Sequence, residues 1–325
     1  MKKERKYGKI SKVIYRRCEL KISENYIGNY PYIKIEGVSG FDIAKIFDCG
    51  QSFRFEPILQ SSHEKEFSGV AYGKFVSFAQ DGDVLYIYGS DRRDLDNVWH
   101  DYLSLGVDYG EIEKDILASY NSEVLTAAAE YGRGIRILSQ DPFETIISFI
   151  ISQNNNIPRI KKIIETLCAR CGKPIEICEE AKKHVHASSS LCAFPSAEEI
   201  VSLGVDGLYE LKTGFRAKYI YDAATRVLDG KLDTVSIAAL DTEDAIDALC
   251  EVKGIGLKVA SCALLFGFGK YDAFPVDVWM KRVAQKYFPE LENFSGQIFG
   301  RYAGIAQQYL FYYERWNNRS CLTNG

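Results

Sequence analysis

No stretch of this 325-residue chain approaches the roughly 18 consecutive apolar residues that a membrane-spanning helix needs. The start, MKKERKYGKISKVIYRR, is basic, but no apolar run follows it, so it does not read as a secretory signal. Net positive charge is missing as well, the formal value being −4. A nucleic-acid binder usually presents a basic face that neutralises phosphates, so composition alone does not point to DNA. What basic excess there is sits at the start. Residues 1–17 hold five Lys, three Arg and one Glu, +7 in all, and −4 minus +7 leaves −11 for the rest. A local basic groove can coexist with such acidic flanks. A cysteine framework is lacking too. Nine cysteines form an odd, irregularly spaced set, and reduced thiols in an intracellular protein are the simplest reading. Cys168 and Cys171 make a C-x-x-C inside a predicted helix with no second pair nearby. His184 and His186 have no further ligands around them, so they are read as surface residues rather than a metal site.

The length suffices for two or three packed units, and an apolar fraction of 46% is ordinary for a globular protein. Residues 1–17 read as a basic arm, a solvated tail as readily as a DNA contact. From residue 18 to about 120 the chain reads as mixed, mainly strand. Tyr32–Ile35, Phe53–Phe55, Phe67–Tyr72, Phe75–Phe78 and Val84–Tyr88 alternate, with turn signals at Gly73-Lys74 and Asp81-Gly82-Asp83. This predicts an antiparallel meander with one buried face, on which a short helix, Phe41 to Phe47, would pack. Helical spacing takes over from about Asp94. Asp141-Pro142-Phe143-Glu144 carries a cap, a proline and a capping-box glutamate, predicting a helix over Pro142–Ser152. Ile157 to Cys171 is amphipathic and is ended by Gly172. Residues 173–193 look like a polar insertion. Helices are expected from Ser196, over Lys218–Leu228, over Thr242–Cys250, and as one long element over about Gly296–Trp316.

The remainder is organised around LCEVKGIGLKVASCALLFGFGKYDAFPVDVWMKR, Leu249 to Arg282. It reads as a helix end, a hairpin carrying Gly254 and Gly256, and a second helix. Glycines let backbone N–H groups approach a partner where no side chain intervenes, and the free N–H groups of the following helix point at the same spot. Such a place suits an anion, phosphate above all. Alone, G-x-G is more often just a tight turn between helices. Lys258, however, falls in the first turn of the second helix, at the positive end of its dipole, a poor place for a purely structural lysine. Pro275-Val276-Asp277 then opens another helix, where Asp277 reads as an N-cap accepting from the N–H near Met280.

The pattern V-K-G-I-G-L-K-V-A-S-C, with P-V-D-V placing Asp277 19 residues after Lys258, resembles the helix–hairpin–helix DNA glycosylases with a catalytic lysine and aspartate. Three further stretches narrow the resemblance to the 8-oxoguanine DNA glycosylase/lyase family: G-Q-S-F-R from Gly50, N-N-N-I-P-R from Asn154, and G-F-R-A-K-Y from Gly214. It runs from about Ile33 to Phe311. It implies an α+β architecture: a basic arm over 1–17, an N-terminal antiparallel β-domain over 18–137, and a larger all-helical helix–hairpin–helix domain over 138–325. It implies Lys258 and Asp277 as the catalytic pair. Gly50, Phe53, Cys262, Gln307, Phe311 and Trp279 would form the damaged-base pocket, with the Gly50 carbonyl accepting from the N7–H that 8-oxoguanine has and guanine lacks. Asn154, Arg159 and Arg216 would meet the orphaned cytosine, Phe215 would be the wedge, and Gly254 and Gly256 would carry the phosphate hairpin. At Trp279 the chain departs from a frequent family histidine, and an indole cannot accept a hydrogen bond as imidazole does. The four closely spaced C-terminal cysteines that hold an iron–sulfur cluster in some relatives are absent, since only Cys321 follows Cys262.

The resemblance thus implies an intracellular, monomeric repair enzyme acting on double-stranded DNA containing 8-oxoguanine, with no cofactor and no catalytic metal. Two alternatives differ in class. A sister glycosylase with another base choice would not need G-Q-S-F-R and N-N-N-x-x-R together. A module that only binds DNA would not need Lys258 and Asp277 together.

Overall fold

The computed structural model describes residues 20–322, with side chains through Trp316; the basic arm lies outside the described residues. Strands β1 (Lys21–Ile27), β2 (Tyr30–Glu36), β3 (Phe55–Pro57), β4 (Lys65–Ala71), β5 (Lys74–Asp81) and β6 (Val84–Tyr88) form one antiparallel sheet in the order β1-β2-β6-β5-β4-β3. Four of the five expected strands are present, while Phe53–Phe55 enters the sheet only at Phe55, and the sheet is not a plain meander. After β2 the chain crosses to the far edge, and β4, β5 and β6 work back to meet it. β1 escapes the alternation rule because it is a largely exposed edge strand with no buried face to mark it.

One face packs on the Ile43–Asp48 helix, which Asp42 caps by accepting from the Ala44 N–H at 3.0 Å. Ile33, Ile35, Val76, Phe78, Leu85 and Ile87 meet Ile43, Ile46, Phe47, Trp99 and Tyr102 there. The other face was expected to be solvated, and it is not. Residues 173–193, expected as a polar surface insertion, fold back so that Ile175, Ile177, Ala181, Val185 and Leu191 cover Tyr30, Val70, Phe75, Ala79 and Tyr88. His184 is accordingly buried, bonded to Glu66 and stacked on Tyr88 at 4.3 Å. The polar composition of the segment hid a spaced apolar set whose partners lie more than 80 residues earlier.

The helical part has its own core, built on the Pro142–Ser152, Ile157–Cys171, Ala217–Leu228, Leu257–Gly267 and Ala303–Leu322 helices. The first two have the predicted bounds because their ends are locally encoded. Asp141 takes the Glu144 N–H at 2.9 Å and Asn156 takes the Arg159 N–H at 3.0 Å. The Asp141 half of the expected capping box forms, while the full reciprocal box occurs at Ser196 and Glu199. The expected long helix over Gly296–Trp316 is broken: a 3-10 segment, Gly296–Tyr302, is kinked within itself at Gly300, which adopts φ +67°, and the helix proper runs Ala303–Leu322.

Candidate active site

The hairpin is anchored from below and open above. Val252 and Ile255 are buried, and the Lys253 N–H donates to Asp222 Oδ2 at 3.2 Å. Gly254 sits at φ +83°, where an L side chain is strained, and a Cβ there would lie 2.2 Å from Cγ of Tyr219. A Cβ on Gly256 would meet nothing within 4 Å. The hairpin therefore needs one glycine for packing and leaves the other facing open space. Leu257 and Val278, each starting a helix and each next in sequence to Lys258 or Asp277, are 70% and 64% exposed.

Lys258 lies in the first turn of the Leu257–Gly267 helix. Its Nζ lies 3.4 Å from Ser152 Oγ and 5.5 Å from the Phe149 ring centroid. Asp277 is the N-cap of the Val278–Tyr287 helix and accepts from the Met280 N–H at 2.9 Å, as the sequence predicts. Both residues line one small cavity of about 60 Å³ that opens to solvent. Gly50 closes it from the β-domain side at φ +80°, close to Phe311 and Ile157. Cys262, Gln307 and Phe311 line it too. Burial pushes the Cys262 thiol up to about 11, with Lys258 opposing, so it is a neutral wall near pH 7 rather than a thiolate. Gln307 is 4% exposed, and its Oε1 has no hydrogen-bond partner among the described residues. A buried acceptor left open in a cavity wall is costly unless a ligand meets it.

Other expected site residues lie around this cavity rather than in its wall. Phe53 packs edge-on behind Phe149 with centroids 5.6 Å apart. Trp279 lies under the Arg282 guanidinium, 4.9 Å from its ring centroid. Asn154, at φ +46° in the turn between two helices, and Arg159, in the first turn of the second, are both exposed. Phe215 is 49% exposed. Arg216 is buried and stacked on Phe215 at 4.4 Å. Its donors go to the carbonyls of Gln153, Thr213 and Asn154, the last two at 3.1 and 3.0 Å. In this structure Arg216 holds the asparagine turn in place. Cys49, Phe149, Phe266, Pro275 and Gln308 also line the cavity and were not singled out in the sequence. Helical periodicity assigns Phe149 and Phe266 to core, and only the pairing of Gln308 with Gln307 in A-Q-Q-Y-L-F could have marked it. Among the described residues no group of three or more His, Cys, Asp or Glu could hold a metal ion.

A lysine at a glycine hairpin and a capping aspartate, joined in one cavity, define the class: helix–hairpin–helix DNA glycosylases. Comparison with known proteins narrows it. Residues 34–146 match the family model for the 8-oxoguanine DNA glycosylase N-terminal domain, and residues 147–295 match that of the HhH-GPD superfamily base excision DNA repair proteins. The chain is 35% identical to the Clostridium acetobutylicum 8-oxoguanine glycosylase/lyase solved with double-stranded DNA containing cytosine opposite 8-oxoguanine. That match has a TM-score of 0.81 and covers 92% of this chain and 98% of the other. It is 32% identical to a probable N-glycosylase/DNA lyase of Methanothermobacter thermautotrophicus over 62% of this chain and 70% of that protein. A match at 36% identity to the N-glycosylase/DNA lyase of Saccharomyces cerevisiae covers 47% of this chain and 42% of the yeast protein. The chain belongs to the 8-oxoguanine DNA glycosylase family of the HhH-GPD superfamily, and its enzyme class is DNA N-glycosylase/DNA lyase.

Proposed function

We propose that this enzyme excises 8-oxoguanine, preferably opposite cytosine, from double-stranded DNA through a Schiff base on Lys258 and then nicks the abasic site. The observation that carries the reading is the convergence of Lys258, Asp277 and Gly50 on one cavity. The target nucleotide leaves the stack because its C1′ is unreachable inside a duplex, at a cost of a few kcal/mol offset by hairpin–phosphate contacts and by Phe215 filling the gap. The base lies between Cys262 and Phe311. The Gly50 carbonyl accepts from its N7–H, and the open Oε1 of Gln307 accepts from its pairing edge. A normal guanine leaves the Gly50 carbonyl facing a lone pair, the kind of mismatch that gives large discrimination. Asn154 and Arg159 meet the orphaned cytosine, with Arg216 holding their turn.

The free amine of Lys258 attacks C1′ as the C1′–N9 bond breaks, and the bonding pair leaves with the base, which takes up a proton. Asp277 stabilises the positive charge that develops on the sugar. The amine loses its protons as the sugar ring opens to an imine. Removal of a C2′ proton then expels the 3′ phosphate by β-elimination. Cys262, a neutral thiol, is not a competing nucleophile. The test is a borohydride trap on a duplex with one 8-oxoguanine opposite cytosine. A covalent complex that disappears in Lys258→Gln is expected. Base release without any trapped complex would make water the nucleophile and remove Lys258 from that role.

A further inference from the structure

The run Asp48–Gln51 carries Gly50 to the cavity, and its carbonyls are not treated alike. Arg315 Nη1 donates to the Asp48 carbonyl at 2.8 Å, Gln308 Nε2 to the Cys49 carbonyl at 2.9 Å, and Gln140 Nε2 to the Gln51 carbonyl at 2.7 Å. All three donors come from the helical part of the molecule or the segment leading into it. The Gln51 side chain adds bonds to the Ile46 carbonyl, the Arg136 carbonyl and the Leu138 N–H. The Gly50 carbonyl accepts from no described residue. The peptides on either side of it are anchored, and it alone is left open.

We propose that Gln308 is a positioning residue for lesion recognition, holding the Cys49 carbonyl so that the neighbouring Gly50 carbonyl stays open to the N7–H of the oxidised base. This deepens the proposed function and rests on its reading of Gly50. Gln308 is 2% exposed and lies on the same helix as Gln307. Without its amide, the Cys49 carbonyl is a buried acceptor lacking a donor. The run can regain one only by turning its peptides, and Gly50, at φ +80°, has the freedom to turn with them. One helix therefore both presents Gln307 to the cavity and sets the backbone that lines the other side.

The experiment compares wild type with Gln308→Met and Gln308→Leu in single-turnover reactions on two duplexes. One holds 8-oxoguanine opposite cytosine, the other a preformed abasic site opposite cytosine. The abasic site has no base to read, so its nicking reports Lys258 and DNA binding without Gly50. Misplacing a positioned group by about an ångström costs roughly 100-fold, so the ratio of excision to nicking is expected to fall by about that much in both variants. Thermal melting checks that they fold. An unchanged ratio overturns the proposal, whether because both activities persist or because both fall together, as a purely structural glutamine would cause. A wild type that nicks abasic sites but releases no 8-oxoguanine sinks the functional reading itself. Normal wild-type excision with unaffected variants sinks only the role of Gln308.

Discussion

Asp277 has a structural role and a proposed chemical one, and a single substitution separates them. As N-cap it accepts from the Met280 N–H, a task asparagine performs about as well. Asparagine carries no charge to set against a positive sugar. Asp277→Asn is therefore expected to change the melting temperature little while slowing excision by about 100-fold or more, as removal of a preorganised electrostatic group does. Thermal melting and single-turnover base release, measured on one preparation, check both halves. A variant that melts early and loses activity in proportion would make Asp277 a cap and nothing more. Cys262 is the counterexample at this scale: burial holds its thiol near 11, so it shapes the cavity as a neutral group.

The hairpin shows the same division within one element. Gly254→Ala puts a Cβ against the Tyr219 ring in a backbone region that L residues resist. Overpacking and strain together are expected to cost about 2 kcal/mol or more of stability. Gly256→Ala meets nothing and is expected to leave stability almost unaltered. On the proposed function its methyl would instead stand between the hairpin N–H groups and a phosphate. Denaturant melts and DNA-binding titrations should rank the two variants in opposite orders. Equal binding by Gly256→Ala and wild type would mean the hairpin does not approach the backbone closely there. The asparagine turn is a similar unit. Asn154 and Asn156 are exposed, and the turn's shape is held by the buried Arg216 guanidinium on two of its carbonyls, those of Gln153 and Asn154.

Across the whole molecule, the sheet and the helical part meet at buried polar contacts. Gln51 and Gln140 bond each other's neighbourhoods, and Arg54 reaches Glu165 at 3.2 Å and the Cys192 carbonyl at 2.6 Å. Glu144 shares a cleft with Phe55, Tyr72, Tyr102 and Asp141, whose own carboxyl burial also raises. Burial raises the Glu144 carboxyl from 4.5 to about 7; Arg54 opposes this, while Asp141 and Glu165 add to it. The folded protein thus holds a proton that the unfolded chain has released between those values, so Glu144 makes stability fall as pH rises from about 4.5 to about 7. Glu144→Gln is expected to flatten that fall. Melting temperatures of both proteins from pH 5 to 8 check it, and parallel curves would show that Glu144 does not titrate in this window.

What could be read along the chain was whatever is encoded within a few residues. The bounds of the Pro142–Ser152 and Ile157–Cys171 helices, the Asp277 cap, the hairpin turn and the alternation of β2 to β6 all rest on near neighbours. The family followed from short motifs of the same kind. Tertiary structure decided what depends on the opposite surface. It covered the second face of the sheet with residues 173–193, buried His184 against Glu66, turned Arg216 onto backbone carbonyls, and broke the last helix at Gly300. It also brought Gly50 to the cavity that Lys258 lines and left one carbonyl in its run open. Local hydrogen bonds and side-chain periodicity are fixed by sequence separation, whereas burial and long-range pairing are fixed by which surfaces meet, and no stretch of sequence contains its own partner.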